Sequence, residues 1–305
     1  MKAFVVVATK GRAKETFILL DYLAKQTLAP TQILVVGSEQ ADVAGLADHP
    51  LMAYEQNSIE LSRAGLTIQR NAGLEALKYS VADLNPAGWF VAFFDDDFRP
   101  APDWLEQVAI AMTNDTRVVG VTGNVLADGV GTEFGLSEEE SVAYLSGKRP
   151  PESHWSSSTR IEVLDGLYGC NMAYRGSVAK TSRFDENLPM YGWQEDWDYS
   201  SRARSLGTVI LQPACRGVHL GSSNGRTSGV RFGYSQISNP IFLLRKGTMS
   251  PRKAFTLMFK NVTANSVKSL LRIKMKDFPG RLRGNFMAVW DLLRGKLHPL
   301  QATKI

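Results

Sequence analysis

The chain opens on Ala3, Phe4, Val5, Val6, Val7 and Ala8, an apolar run with no polar alternation. A strand with one wet face alternates polar and apolar side chains, so an unbroken run this short reads as a strand buried on both faces. Comparable runs follow at 32–36, 89–94 and 118–122. Between them lie stretches of helical periodicity, at 15–26 with Phe17, Leu20 and Ala24, and at 65–79 with Ala72, Ala76 and Tyr79. Pro100 and Pro102 introduce a further helix, for which Asp103 is the expected N-cap and Glu106 its partner in a capping box. Buried strands alternating with helices point to an α/β fold with a mostly parallel central sheet flanked by helices.

Beyond residue 124 the pattern lapses into Gly, Ser, Glu and Pro, and a loop-rich insertion is expected up to about 160. Residues 161–174 read as extended, 195–205 as helical, and 208–220 as two short strands around Pro213. The length of 305 residues allows one large α/β domain, and 44% hydrophobic with 21% charged residues excludes a disordered or fibrous chain. Cys170 and Cys215 form no C-x-x-C pair, so they are expected to be small core residues of a protein from a reducing cytoplasm. The first apolar run is short for a signal sequence, and no run reaches the length of a spanning helix.

Charge is distributed unevenly. Residues 245–305 hold 14 Lys and Arg against only Asp277 and Asp291, a net +12, whereas residues 1–244 carry a net −7. Phe255, Met258, Phe259 and Val262 fall at helical spacing in this tail, as do Phe286, Val289, Trp290 and Leu293. We therefore read residues 1–244 as a catalytic domain and 245–305 as a basic, amphipathic helical extension. Its apolar faces are expected mostly on the body, with the cations outward toward an anionic membrane surface. Nucleic acid is not expected as a partner, since the cations lack interleaved stacking aromatics.

Two acidic constellations carry the chemistry. Asp95, Asp96 and Asp97 follow directly on the apolar run ending at Phe94. In open α/β sheets ligands bind outside the carboxyl ends of strands, and adjacent carboxylates there suit Mg²⁺ or Mn²⁺ bridging to phosphates. The second constellation, Tyr191 to Asp198, interleaves Glu195, Asp196 and Asp198 with Tyr191, Trp193 and Trp197. Aromatic platforms beside carboxylates can hold a sugar ring, and a carboxylate near apolar rings is raised in pKa and suited to taking a proton.

These pieces, with Gln69-Arg70-Asn71-Ala72-Gly73, Gly169-Cys170-Asn171-Met172 and Arg175, stand in the order that resembles the inverting family 2 glycosyltransferases of GT-A fold, over about residues 3–220. The resemblance implies that Asp97, with Asp95, holds a divalent metal on the donor diphosphate, that Asp95 or Asp96 touches the ribose, and that Asp196 is the catalytic base. It implies that Thr9 and Arg12 form the first nucleotide-binding loop. His219 matches the late histidine that completes the metal shell in several such enzymes. Glu195, Trp193 and Tyr191 are expected to orient the acceptor. Glu39 is the candidate for an acid usually found directly after the second strand. Arg70 is expected on phosphate, Asn71 either on the donor or as a helix cap, and Arg226 and Arg231 closing over the diphosphate. His49, His154 and His298 carry no signal.

The expected reaction is metal-dependent transfer of a sugar, with inversion, from a nucleotide-sugar donor, a UDP-sugar first among them, to a glycan or lipid-linked acceptor. Synthesis of a surface polysaccharide or glycolipid, at the inner face of the cell membrane, is the expected setting. A sugar nucleotidyltransferase would open with a more glycine-rich loop than Thr9-Lys10-Gly11-Arg12, and a dinucleotide-binding oxidoreductase with G-x-G-x-x-G. A non-catalytic carbohydrate-binding or scaffold module with a structural cation is the alternative outside the transferases.

Overall fold

The computed structural model describes residues 1–132, 134–222, 228–273 and 275–305. The first apolar run forms β1 (Lys2–Ala8), followed by α1 (Ala13–Ala24), β2 (Gln32–Gly37), β3 (Ser58–Leu61), α2 (Leu66–Ser80), β4 (Trp89–Asp95) and the short β5 (Phe98–Pro100). β1 lies parallel between β2 and β4, with Ala8 opposite Asp95, and β2 is parallel to β3. Leu19, Leu20 and Leu23 of α1 pack with Val5, Val7 and Phe94 on one face. Leu74 and Leu77 of α2 pack with Val6 and Phe93 on the other. Coverage of both faces is why these strands show no alternation.

The second half follows with α3 (Trp104–Asn114), β6 (Val118–Asp128), α4 (Glu138–Leu145), β7 (Glu162–Val163), β8 (Asn171–Arg175), α5 (Gly176–Thr181), α6 (Glu195–Ala203) and β9 (Thr208–His219). β8 inserts antiparallel between β4 and β6, β9 runs parallel to β6, and β5 and β7 pair antiparallel with β9. The parallel character read from the sequence is therefore that of β1–β4 and of the β6–β9 pair, and the whole sheet is mixed. β6 runs six residues past the strand expected at 118–122, and α4 sits inside the supposed loop, started by a Ser137–Glu140 capping box. β9 is one strand, with Pro213 at a break where partners jump from Gly123 with Gln212 to Asn124 with Arg216. An irregularity of this kind is where a strand tolerates proline. Asp103 occupies the N-cap of α3 but makes no capping bond. It accepts from Gln107 instead, and Glu106 accepts from Thr27.

Three helices complete the chain: α7 (Gly229–Lys246), α8 (Pro251–Leu270) and α9 (Phe278–Leu293). The boundary before Arg245 falls inside α7. α7 and α9 cross at glycines: a Cβ on Gly233 would lie 2.0 Å from the Arg281 carbonyl oxygen, and one on Gly284 2.0 Å from that of Val230. Asn265 of α8 donates to Gln236 and Asn285 at 2.8 Å, so the three helices meet through amides as well as through Tyr234, Ile237 and Ala288. Small and amide side chains make this contact, which leaves the strongest apolar stripes outside. Phe255 and Phe259 are 59% and 73% exposed, and Phe286, Val289, Trp290 and Leu293 between 41% and 76%. The expectation that these faces lie on the body is corrected accordingly; Met258 and Val262 alone among them pack inward.

Candidate active site

The carboxyl ends of β1 and β4 open into a cavity of about 720 Å³ lined by Thr9, Lys10, Arg12, Asp95, Tyr191 and Arg231. A second cavity of about 400 Å³, lined by Arg70, Tyr168, Trp193, Glu195, Asp196 and Trp197, adjoins it. Leu66, Asp95 and Tyr191 line both. Asp95, the first of the strand-end acids, and the aromatic-acid segment, about a hundred residues apart in sequence, thus face one divided cleft, with Asp96 and Asp97 buried behind Asp95.

In the larger cavity, Arg12 at the start of α1 places Nε 3.1 Å from Asp96 and Nη1 2.9 Å from Asp97. Asp96 is buried, and burial raises its pKa against the pull of Arg12. Burial would raise Asp97 too, but His219, Arg12 and the Ser222 N–H hold it well below the usual carboxylate range. Thr9 is buried at the end of β1, accepting from the Thr16 hydroxyl while its carbonyl accepts from Gln69 at 2.7 Å.

One ligand atom each from Asp95, Asp97 and His219 lie within 4.8 Å of one another. β9 ends at His219, and its pairing with β5 sets Phe98 opposite His219, one residue from Asp97. Asp128, at the end of β6, stands 3.2 Å from His219 Nδ1, and Tyr168 donates its hydroxyl to Asp128 at 2.7 Å. With Nδ1–H directed at Asp128, Nε2 faces Asp97 Oδ1 at 3.3 Å, and that oxygen accepts no well-formed hydrogen bond. Two lone-pair atoms so close need a proton or a cation between them. The proton is supplied when His219 is charged: burial lowers its pKa, but Asp97 and Asp128 lift it well above the ordinary value. Carboxylate and imidazole donors in this arrangement fit Mn²⁺ or Mg²⁺, with Asp128 as the outer partner that orients the ligand.

The aromatic-acid segment is held in an unusual backbone. Met190, Gly192 and Gln194 all have positive φ, at 57°, 66° and 74°. Left-handed conformations at two non-glycine residues cost of order 1 kcal/mol each or more and persist only where surroundings impose them. Here the Leu66 N–H donates to the Met190 carbonyl at 2.9 Å, and Asn239 of α7 to that of Trp193 at 2.7 Å. The alternation turns Tyr191 into both cavities and starts α6 with Glu195 and Asp196. Glu195 is buried against Arg70 at 2.5 Å, and burial pushes its carboxyl up to about 8 despite that partner. Asp196 is partly exposed to the smaller cavity, accepting from the Gly169 and Trp197 N–H groups. Burial raises its pKa as well, against those two bonds.

Other expected ligands have different work. Arg70 bonds Glu195, Asp95 and the Gly169 carbonyl inside the protein, over the rings of Phe93 and Phe184, and orders the acids. Asn71 lies inside α2 and lines neither of these cavities: it exchanges bonds with the Phe184 backbone and donates to Glu186. Glu39 is exposed at the start of a short 3-10 turn and lines neither cavity. The acid after β2 that braces the first loop is Asp42, which accepts from Gly11 at 2.6 Å and from Ser38. Arg231 lines the larger cavity while donating to the Ile305 carbonyl; Arg226 lies outside the described residues. His154, passed over in the sequence, pairs with Asp128 at 3.2 Å.

No protein-family model matches the chain. A crystal structure of S. aureus TarS 1-349 in complex with UDP superposes with a TM-score of 0.55 at 16% identity, over 97% of this chain and 92% of that one. GalNAc-T7 with UDP, GalNAc and Mn²⁺ gives 0.52 at 14% identity, over 79% of this chain and 50% of that one. The fold is GT-A. A glucosyl-dolichyl phosphate glucuronosyltransferase of Haloferax volcanii is similar in sequence, 26% identical over 205 residues and 63% of this GT-A chain. The match covers 58% of that relative's length.

Proposed function

We propose that the chain is a metal-dependent, inverting glycosyltransferase that moves a sugar from a UDP-sugar to an acceptor hydroxyl. The observation that carries this reading is the divided cleft: Asp95, grouped with the buried Asp97 and His219, stands with Tyr191 in the wall shared by the two cavities, and Glu195 and Asp196 line the smaller one. The UDP complexes of TarS and GalNAc-T7, the latter with Mn²⁺, support the donor and metal classes. A divalent cation on Asp95, Asp97 and His219 would act as a Lewis acid toward the leaving diphosphate.

The remaining steps belong to the chain's own residues. Thr9 and Arg12 border the nucleotide, Tyr191 and Trp193 flank the acceptor, and Arg70 fixes Glu195 and Asp95 between them. Asp196, the more accessible of the two acids, takes the acceptor proton as its oxygen bonds the anomeric carbon and the carbon–diphosphate bond breaks. A carboxylate raised toward working pH is suited to this, and positioned general-base catalysis contributes about 10² to 10⁴ in rate. Calorimetry tests the donor half: UDP is expected to bind with Mn²⁺ and to lose that dependence in Asp97→Ala. Equal UDP binding in EDTA would refute the metal reading. Asp196→Asn should keep UDP binding and lose transfer.

The lipid phosphate in the relative's name supports a lipid-linked acceptor and synthesis of a surface polysaccharide or glycolipid. The exposed stripes of α8 and α9, in a segment of net +12, support docking on the anionic inner face of the cell membrane. No described helix is long and apolar enough to cross a membrane. Binding to anionic but not zwitterionic vesicles, lost in Trp290→Gln/Leu293→Gln, is the expected result. Self-association abolished by the same pair would instead assign the face to a second copy.

A further inference from the structure

The smaller cavity holds a cation that the reaction above leaves unused. Lys253, in the first turn of α8, lines it beside Asp196 and Trp197, with its Nζ 3.8 Å from the centroid of the Trp197 ring. The arginines around it are paired, Arg12 with Asp96 and Asp97, Arg70 with Asp95 and Glu195. Among the described residues no carboxylate lies within ion-pairing distance of Lys253. Partial burial lowers its pKa, while Asp165 and Asp196 pull it back from further off. A half-buried ammonium loses hydration, and an aromatic face returns only part of that loss. The place left for its counter-ion is the cavity.

What lies beside that place narrows the anion. Leu257, one turn on from Lys253 on the same face of α8, lines the cavity with Phe232, Trp155 and Val130 and makes an apolar wall beside the ammonium. A ligand that satisfies both features carries an anionic group joined to a long apolar chain. We propose that Lys253 binds the phosphate that links an acceptor to its lipid, so that the acceptor hydroxyl reaches Asp196 while the chain leaves over α8. This rests on assigning the Asp196 cavity to the acceptor. Lys253 is then a specificity residue: it selects acceptors that carry phosphate and leaves the donor untouched.

The test uses the full chain loaded with UDP and Mn²⁺, with farnesyl phosphate and farnesol as probes in calorimetry. Farnesyl phosphate is expected to bind, to weaken about tenfold or more in Lys253→Gln, and to be retained in Lys253→Arg, since a charge-assisted bond is worth about 1.5–3 kcal/mol. Farnesol should bind the wild type no better than farnesyl phosphate binds the Gln variant. UDP affinity should be the same in all three proteins. Equal farnesyl phosphate binding by wild type and Lys253→Gln, or farnesol binding as tightly as its phosphate, would overturn the proposal. So would no farnesyl phosphate binding by protein that binds UDP. A wild type that fails to bind UDP would instead refute the donor reading beneath it.

Discussion

Replacing Arg70 by Met removes a fully buried guanidinium and keeps most of its apolar stem. Glu195 at 2.5 Å and Asp95 at 2.8 Å lose their counter-charge, and the Gly169 carbonyl loses its 2.8 Å bond. Breaking a buried pair from one side costs about 3–5 kcal/mol, because the surviving charge stays out of water. The cost depends on pH with a definite sign. Glu195 already has a folded pKa of about 8 against an ordinary 4.5, and Arg70 is the group that holds it down. Without Arg70 that value rises further, so below about pH 8 Glu195 is protonated in both folded proteins, and above it the variant keeps its proton while the wild type ionises against Arg70. The loss should therefore be level between pH 5 and 7, where Glu195 is neutral in both folded proteins, and grow above pH 8 by up to about 1.4 kcal/mol per pH unit. Urea denaturation of both proteins at pH 5, 7 and 9, followed by circular dichroism, measures it. An equal loss at pH 7 and pH 9 would refute the reasoning and assign the cost to packing over Phe93 and Phe184.

Asp128→Asn keeps the shape beside His219 but weakens the hold on its Nδ1–H, so Mn²⁺ affinity is expected to fall about 10- to 100-fold with the fold intact, as read by metal titration. Gly284→Leu drives a side chain into the Val230 carbonyl at the α7–α9 crossing and should destabilise by several kcal/mol, whereas Gly88→Ala, with no atom within 4 Å of its Cβ, should leave the melting temperature nearly unchanged. Glu39→Gln should leave UDP affinity unchanged, while Asp42→Asn should weaken it by loosening the Gly11 loop.

Asp95, Asp96 and Asp97 were legible because nothing local explains three acids at the end of an apolar strand. The Glu195–Asp196 pair was legible from its aromatic neighbours. Arg70 was visible as a residue but not in its role, since phosphate and a carboxylate 125 positions away present the same chemistry to an arginine. Asp128 and His154 left no local signal. The part of β6 that carries Asp128 leaves the regular register of its neighbour, and the segment bearing His154 is irregular. Their meaning arises only where β6, β9 and that segment converge on His219.

The C-terminal helices show the same limit from the other side. Periodicity picks out the most apolar stripe of a helix, and in α8 and α9 that stripe faces out. The buried stripe holds Ala254, Asn265, Gly284, Asn285 and Ala288, residues that hydropathy ranks low but that let backbones approach and amides pair. These helices are also part of the wall of the candidate cleft. Asn239 holds the Trp193 carbonyl, Phe232 packs edge-to-face on the Trp193 ring, and Lys246 reaches Asp198 at 2.9 Å. Lys253 and Leu257 line the smaller cavity itself. A strained loop at 190–194 keeps its conformation only while its neighbours impose it, and one of those neighbours is α7. The charge asymmetry at residue 245 thus marks a change of surface, while the packing that shapes the site runs straight across it.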